Sequence, residues 1–433
     1  MIKRSNAKRL VAFACLILVL MLSLTSCFVI QLGGVKSAEI NENGELIVEY
    51  SNGREQNIGT VAGKDGKDGK DGKDGQDGEK GDAGAAVSDG VINISPAETN
   101  IEIATAKGLR SAVSINCGTQ RGSGIIYEMN KSAGDALIVT NYHVVYLASS
   151  NSISNNIFVS LYGSEAEGQE IVAEYVGGSM EYDIAVLRIE GSSLLRKSNT
   201  AAVSVADSDE VNVGTTAIAI GNAEGMGISV TSGIISVNSE YITIKGADNQ
   251  TNVTFRVMRV DTAVNSGNSG GGLFDDAGNL IGIVNAKVVD EKVENIGYAI
   301  PSSTAVAVVE NIKANCLNST NKNVKRANVI DVDSSNPTAV LDKNTGYIRL
   351  EETVVVKSSV YGYLVWRTLQ AGDIITAVSV NGGEAKTITR AYQVDDICLG
   401  LKAGDEITFY YTRSGVTHSD SFSVTTGYIS SIK

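Results

Sequence analysis

The chain has 433 residues, of which 43% are hydrophobic and 20% are charged. This composition is typical of globular proteins with two or three domains and excludes a polytopic membrane protein. The formal net charge of −13 argues against nucleic acid as a partner.

The N-terminus has the pattern of a bacterial secretory signal. Basic residues precede an apolar run from Leu10 to Leu24 that is shorter than the roughly 20 residues a transmembrane helix needs. The run ends in Leu24-Thr25-Ser26-Cys27, which is similar to a lipoprotein cleavage site. We therefore expect a signal peptide over residues 1–26 and attachment to membrane lipid through Cys27. A signal anchor that is never cleaved is the alternative.

Two spacer elements are predicted before the main domain. Residues 27–62 form a membrane-proximal segment, in which alternating apolar positions over residues 39–62 predict a small hairpin around Ser51-Asn52-Gly53. Residues 63–84 have glycine at every third position, the period of collagen, but lack proline. A flexible charged linker is favoured there over a triple helix, and residues 85–103 continue as linker.

Short β-branched runs separated by Gly, Asn and Ser predict a mainly β domain over residues 104–316, closed by one helix that begins after Pro301. The predicted strands include Ala112 to Cys117, Ile157 to Leu161 and Leu280 to Val284. A polar linker is predicted over residues 317–345, and a second small β-rich unit over residues 346–433. Beyond the leader and Cys27, the remaining cysteines, Cys117, Cys316 and Cys398, are too far apart for a disulfide framework or a metal motif and are predicted to be single buried thiols.

Three residues of the β domain could form a nucleophilic site. Ser269 lies among glycines that permit a tight turn with converging N–H groups, but a serine hydroxyl needs a base. His143 follows an apolar strand, whereas the only other histidine, His418, is predicted on an exposed strand. Asp183 begins a buried strand and could orient the imidazole, and the order His, Asp, Ser is that of chymotrypsin-like proteases.

The surrounding motifs resemble those of the HtrA (Deg) family of serine proteases. They are Gly122-Ser123-Gly124, Thr140-Asn141-Tyr142-His143-Val144-Val145, Asp183-Ile184-Ala185-Val186-Leu187, Gly221-Asn222, Asn265-Ser266-Gly267-Asn268-Ser269-Gly270-Gly271 and Ile296-Gly297-Tyr298-Ala299-Ile300-Pro301. The resemblance implies a trypsin-like double β-barrel followed by a PDZ-like domain, with no cofactor and no metal. It also implies an oxyanion hole at Gly267, Asn268 and Ser269. Gly272 departs from the proline that is usual in the family.

The C-terminal unit resembles a PDZ domain at Leu369-Gln370-Ala371-Gly372-Asp373-Ile374-Ile375 and Gly404-Asp405-Glu406-Ile407. The resemblance implies binding of peptide C-termini, with Gly346, Tyr347, Ile348 and Arg349 as the carboxylate-binding loop. Arg349 stands where the family favours glycine, so a structural PDZ-like cap is the alternative.

The resemblance also places the S1 pocket, at Ala263, Val264, Ala286, Val288, Ile296 and Ile300. An alanine in place of an acidic residue at the pocket floor leaves a substrate cation unpaired. We therefore expect cleavage after small or medium aliphatic residues.

These features together predict a lipid-anchored, ATP-independent endopeptidase on the extracytoplasmic face of a bacterial membrane, acting on unfolded or misfolded envelope and secreted proteins. The family resemblance implies a homotrimer. A non-enzymatic surface binding or chaperone-like protein is the alternative, whereas a general esterase is disfavoured because the chain lacks the GxSxG elbow.

Overall fold

The computed structural model describes residues 35–41, 45–51, 53–60, 100–118, 120–164, 169–286, 296–343, 345–357 and 362–432. The predicted signal peptide, Cys27, the glycine-triplet segment and Val288 lie outside these residues. The chain divides into two units, Met1–Ala86 and Val87–Lys433. In the described ranges, no helix has both the length and the hydropathy needed to cross a membrane.

The N-terminal unit contains a three-stranded antiparallel sheet. Its strands are β1 (Val35–Ile40), β2 (Glu45–Tyr50) and β3 (Glu55–Thr60). The predicted hairpin corresponds to β2 and β3. Pairing of Ile40 with Leu46 adds β1, a third strand that begins before the predicted hairpin.

The second unit opens with helix α1 (Asn100–Leu109), which occupies the end of the predicted linker 85–103. A first closed barrel follows, in the order β10-β11-β6-β5-β4-β9. Its strands are β4 (Ala112–Cys117), β5 (Gln120–Asn130), β6 (Asp135–Thr140), β9 (Ile157–Leu161), β10 (Ile171–Ser179) and β11 (Ile184–Ile189). Short elements connect them: α2 (Tyr142–Val145), β7 (Tyr146–Leu147) and β8 (Ser152–Ile153), with α3 (Ser193–Lys197) after β11.

A second closed barrel has the order β12-β13-β14-β17-β16-β15. Its strands are β12 (Thr216–Gly221), β13 (Ser229–Lys245), β14 (Asn252–Val260), β15 (Gly272–Phe274), β16 (Leu280–Val284) and β17 (Gly297–Pro301). The helix predicted after Pro301 is α4 (Ser302–Asn315). Closing each sheet on itself pairs every barrel strand on both sides, so its β-branched side chains bury in the interior without leaving a sheet edge exposed.

The last part of the second unit, called the C-terminal unit from here on, follows α4. It contains a sheet in the order β19-β22-β23-β25-β26, with β24 paired to β23. Its elements are β18 (Lys325–Ala327), β19 (Val332–Ser334), β20 (Thr338–Leu341), β21 (Ile348–Glu351), β22 (Val354–Val356), β23 (Ile374–Val380), β24 (Lys386–Thr387), α5 (Ala391–Gly400), β25 (Glu406–Arg413), β26 (Val416–Ser423) and β27 (Ile429–Ser431).

The predicted linker 317–345 is wrong over most of its length. Strand β18 pairs with β27 at the far end of the chain, and Ala327, Val329 and Ile330 are buried in the hydrophobic core of the C-terminal unit. These short apolar stretches are surrounded by Asn, Asp and Ser, so the local composition is that of a loop. The C-terminal unit therefore begins before the predicted residue 346.

The proposed carboxylate-binding loop is also contradicted. Residues 346–349 lead into β21, which pairs with β20 in a hairpin separate from the main sheet. Arg349 Nη2 lies 3.2 Å from the Glu210 carboxylate of the two-barrel domain. A peptide-binding loop of this type must precede an edge strand of the domain's own sheet, and β21 does not belong to it.

A buried ionic cluster joins the C-terminal unit to the second barrel. The Arg256 guanidinium on β14 lies 2.7 Å from the Asp209 carboxylate and 3.4 Å from the Asp396 carboxylate on α5. It also stacks over the Tyr392 ring of α5, with 3.4 Å between Cζ and the ring centroid. Charges removed from water in this way are stabilised only by close partners, so this cluster depends on the docked arrangement of the two domains.

Candidate active site

The predicted histidine and aspartate come together on the first barrel. His143 lies on the single-turn helix α2 directly after β6, and Asp183 lies in the turn between β10 and β11. His143 Nδ1 is 2.7 Å from Asp183 Oδ2, and the His143 backbone N–H donates to Asp183 Oδ1 at 2.9 Å. The carboxylate therefore contacts both the ring and the backbone of the same histidine and holds the imidazole in one orientation.

The backbone at Asp183 adopts a left-handed conformation, with φ of 51°. Aspartate tolerates this region better than most residues, and neighbouring groups hold it there. Its carbonyl oxygen accepts hydrogen bonds from the Tyr142 N–H at 3.1 Å and from Asn141 Nδ2 at 2.9 Å. Both donors directly precede His143 in the chain, so the two turns that carry the histidine and the aspartate support each other.

Asn285 is a site residue that the sequence reasoning missed. It directly follows β16, is fully buried, and donates from Nδ2 to Asp183 Oδ2 at 2.9 Å. The donor therefore reaches the same carboxylate oxygen that faces His143. A position immediately after an apolar strand was the signal used for His143, and the same signal was present at Asn285.

Ser269 lies in the loop between β14 and β15 and is nearly buried. Its Oγ accepts a hydrogen bond from the Ala286 N–H at 3.2 Å. Within the described part of the chain, no hydrogen bond joins Ser269 to His143. The two side chains nevertheless line the same cavity, of about 420 Å³, together with Arg121, Ser266 and Gly267.

The glycine-rich turn around Ser269 presents two backbone donors. The N–H groups of Asn268, Gly270 and Gly271 donate to carbonyl oxygens nearby. Those of Gly267 and Ser269 have no acceptor among the residues that the structure describes. The Glu224 N–H donates to the Ser266 carbonyl at 2.7 Å. This carbonyl and the Gly267 N–H belong to one planar peptide bond, so fixing the carbonyl also fixes the direction of the Gly267 N–H.

Glycine is required at position 267. Its φ is 91°, and a Cβ there would lie 2.3 Å from the Asn222 carbonyl oxygen. Ser123 Oγ supports the same turn by donating to the Gly267 carbonyl at 2.7 Å, while it accepts from the Asn222 N–H at 2.7 Å. A side chain at position 267 would therefore displace the turn.

The predicted S1 residues do not all line one surface. Val264 is buried in the same apolar cluster as Ala286, whereas Ala263 is exposed and Ile296 is half-buried. Ile300 has no exposed surface and packs in the interior with Ile283, so its prediction as a pocket wall is wrong. Successive strand residues point to opposite faces. The neighbouring β17 residue Ala299 therefore lies in the cluster with Val264, and Ile300 points to the other side of the strand.

The other candidate groups do not contribute chemistry. Cys117, Cys316 and Cys398 are free and buried, as predicted. Burial raises the pKa of Cys117 to about 12 and that of Cys398 to about 12, so these thiols stay protonated at neutral pH. His418 is exposed on β26 and stacks on Tyr411.

The chain is similar to known proteases over most of its length. The "Trypsin-like peptidase domain" family matches residues 122–283. The "Serine protease Do-like HtrA" of Bacillus subtilis (strain 168) is 34% identical over 52% of this chain. That match covers 48% of the relative's own length, so this chain spans about half of that relative. The protein of the same name from Lactococcus lactis subsp. cremoris (strain MG1363) is 31% identical over 71% of this chain and 72% of its own length.

Among solved structures, an "HtrA-type protease AlgW with tripeptide" is 26% identical, with a TM-score of 0.48, and the match covers 75% of this chain and 96% of that one. The match to the Lactococcus relative covers more than two thirds of both chains. The trypsin-like family match, over residues 122–283, includes His143, Asp183 and Ser269. The chain belongs to the HtrA family of trypsin-like serine endopeptidases.

Proposed function

We propose that Ser269 is the nucleophile of this endopeptidase, that His143 is its general base, and that Asp183 holds the imidazole and stabilises its charged form. The observation that carries the proposal is the 2.7 Å contact between His143 Nδ1 and Asp183 Oδ2. This contact leaves Nε2 as the basic nitrogen on the side away from the carboxylate.

In the first step, Ser269 Oγ releases the Ala286 N–H and transfers its proton to His143 Nε2 while it attacks the scissile carbonyl. The N–H groups of Gly267 and Ser269 receive the oxyanion of the tetrahedral intermediate. His143 then protonates the leaving amine, and water hydrolyses the acyl-enzyme by the same steps in reverse order. The unoccupied N–H pair and the glycine requirement at position 267 support this assignment.

The S1 pocket is proposed at Ala263, Val264 and Ala286. Val264 and Ala286 contribute apolar surface, and neither they nor Ala263 carry a charge that could pair a substrate cation. Cleavage after valine, alanine or isoleucine follows.

The substrates that we propose are unfolded or misfolded proteins outside the cytoplasm. The leader-like N-terminus and Leu24-Thr25-Ser26-Cys27 support lipid attachment at Cys27. The C-terminal unit is proposed as a PDZ-like domain. In this proposal a peptide binds as an added strand along β19, an outer strand of the main sheet, and the loop at residues 346–349 has no part in its binding.

The test is digestion of an unfolded protein such as casein by the full-length chain and by Ser269→Ala. Ser132→Ala, in the exposed turn between β5 and β6, is the matched control. We expect cleavage by the wild type and by the control, and none by Ser269→Ala. Equal cleavage by Ser269→Ala would overturn the assignment, and folded protein without any cleavage would favour a binding function.

A further inference from the structure

Arg121 is a charged residue of the candidate active-site cavity to which the catalytic proposal gives no role. It lies at the start of β5, is exposed, and lines the cavity together with His143 and Ser269. Of the described residues that line this cavity, Arg121 alone carries a permanent charge. The positive charge of Arg121 is opposite in sign to the net charge of the whole chain, which is −13.

The guanidinium of Arg121 forms no ion pair with a described carboxylate. Glu170 lines an adjoining cavity together with Arg121, but its carboxylate accepts a hydrogen bond from Asn116 Nδ2 at 3.3 Å. Two arginines on other barrel strands are paired: Arg188 lies 2.7 Å from the Glu174 carboxylate, and Arg259 lies 3.0 Å from the Glu240 carboxylate. Asp248 lies in sequence between Ala247 and Asn249, which line the cavity. Its carboxylate accepts hydrogen bonds within its own turn, from the backbone N–H groups of Gln250 and Thr251 and from the Thr251 hydroxyl. An arginine that lacks an internal partner is available to an anion from outside.

The contacts of Arg121 indicate which side of the scissile bond it lies near. Its side chain packs on Gly225, where a Cβ would lie 2.8 Å from Nη1. The segment that contains Gly225 also supports Gly267, because the Glu224 N–H holds the Ser266 carbonyl at 2.7 Å. Arg121 is therefore adjacent to the oxyanion-hole end of the cavity. Val264, where the acyl side of the substrate is proposed to bind, is not among the residues that line this cavity.

We propose that Arg121 is a specificity-determining residue that favours substrates with an acidic side chain in the first two residues after the scissile bond. This inference rests on the proposed function. The acyl half of the substrate fills the S1 pocket and the leaving half passes His143, which must protonate its amine. Arg121 lines the cavity beside His143 and Val144, on the path of the leaving half.

The expected preference is modest and depends on salt. An exposed guanidinium and a substrate carboxylate form an ion pair in high dielectric, so kcat/KM should favour glutamate over glutamine by about two- to fivefold. The preference should shrink as the ionic strength rises to about 1 M, where the Debye length is only about 3 Å.

The experiment uses the full-length protein and quenched-fluorescent peptides that differ only in one residue, Glu, Gln or Lys, at the first or second position after a shared aliphatic cut site. A second series places the same residues before the cut. The enzymes compared are the wild type, Arg121→Gln and Arg121→Glu. Arg367→Glu is the control, because Arg367 is an exposed arginine of the C-terminal unit, so it introduces the same charge change away from the cavity.

We expect the wild type and Arg367→Glu to prefer Glu over Gln over Lys after the cut, Arg121→Gln to lose the preference, and Arg121→Glu to prefer Lys. The inference is overturned if Arg121→Glu keeps the wild-type order, or if the preference lies only before the cut. Wild-type cleavage of every peptide without a charge preference also overturns it, while the proposed function stands. No cleavage of any peptide by the wild type would overturn both.

Discussion

Replacing Asn285 with alanine should slow catalysis without preventing folding. Asn285 Nδ2 donates to Asp183 Oδ2 at 2.9 Å, the same oxygen that lies 2.7 Å from His143 Nδ1. Without this donor the Asp183 carboxylate is held, among the described residues, by His143 alone, so the imidazole is oriented less firmly. Asn285 does not line the cavity at Ser269, so substrate binding should change little.

The size of the effect follows from the nature of this contact. A buried hydrogen bond to a charged group contributes about 1.5 to 3 kcal/mol. If the whole contribution is lost from the transition state, kcat falls by about 10- to 150-fold, since about 1.4 kcal/mol corresponds to a factor of ten. This is smaller than the loss of about ten-thousandfold expected for Asp183→Asn, which also changes the imidazole tautomer.

The assay is the steady-state cleavage of a quenched-fluorescent peptide, from which kcat and KM are obtained separately. Asn311→Ala is the matched control, because Asn311 is also a buried amide, lies on α4, and donates to the Lys325 and Leu399 carbonyls. Thermal unfolding of both variants measures any loss of stability. A kcat within twofold of the wild type for folded Asn285→Ala would refute the reasoning.

Three further predictions follow from the described contacts. Gly267→Ala should lower kcat by about 100- to 1,000-fold through loss of an oxyanion donor, whereas Gly191→Ala, at a positive φ with open space around it, should not; equal activity of the two variants would contradict this. Burial raises the pKa of Asp396 to about 7, so docking weakens as pH rises from about 4 to 7, and Asp396→Asn should flatten the pH dependence of Tm over that range; parallel Tm curves would contradict this. Mapping of the cuts in digested casein should show valine, alanine or isoleucine before the scissile bond, and a dominant preference for lysine or arginine would show that the pocket is misassigned.

The sequence predicted the strands with continuous β-branched runs most accurately. Ala112–Cys117, Ile157–Leu161 and Leu280–Val284 have the same bounds in the structure as in the prediction. These runs are buried along most of their length, so local composition and tertiary burial agree. The approach of His143 to Asp183 was also predicted, because each residue adjoins such a strand.

Features that depend on long-range pairing could not be predicted in this way. Strand β18 at residues 325–327 is paired by β27 about a hundred residues later, and its own composition is polar. Arg349 was assigned to a peptide-binding loop from its local motif, but its ion pair with Glu210 is set by how the C-terminal unit docks on the barrel. Ile300 was assigned to a pocket because its strand borders the site, whereas the alternation along β17 directs its side chain to the interior.

The most direct test of the central claim is covalent labelling with a fluorophosphonate, which reacts with activated serine hydroxyls. We expect one adduct per chain, mapped by mass spectrometry to Ser269, with loss of casein cleavage in proportion to labelling and no adduct in the His143→Ala variant. Full labelling of Ser269 with casein cleavage unchanged, or inactivation through an adduct elsewhere, would contradict the account.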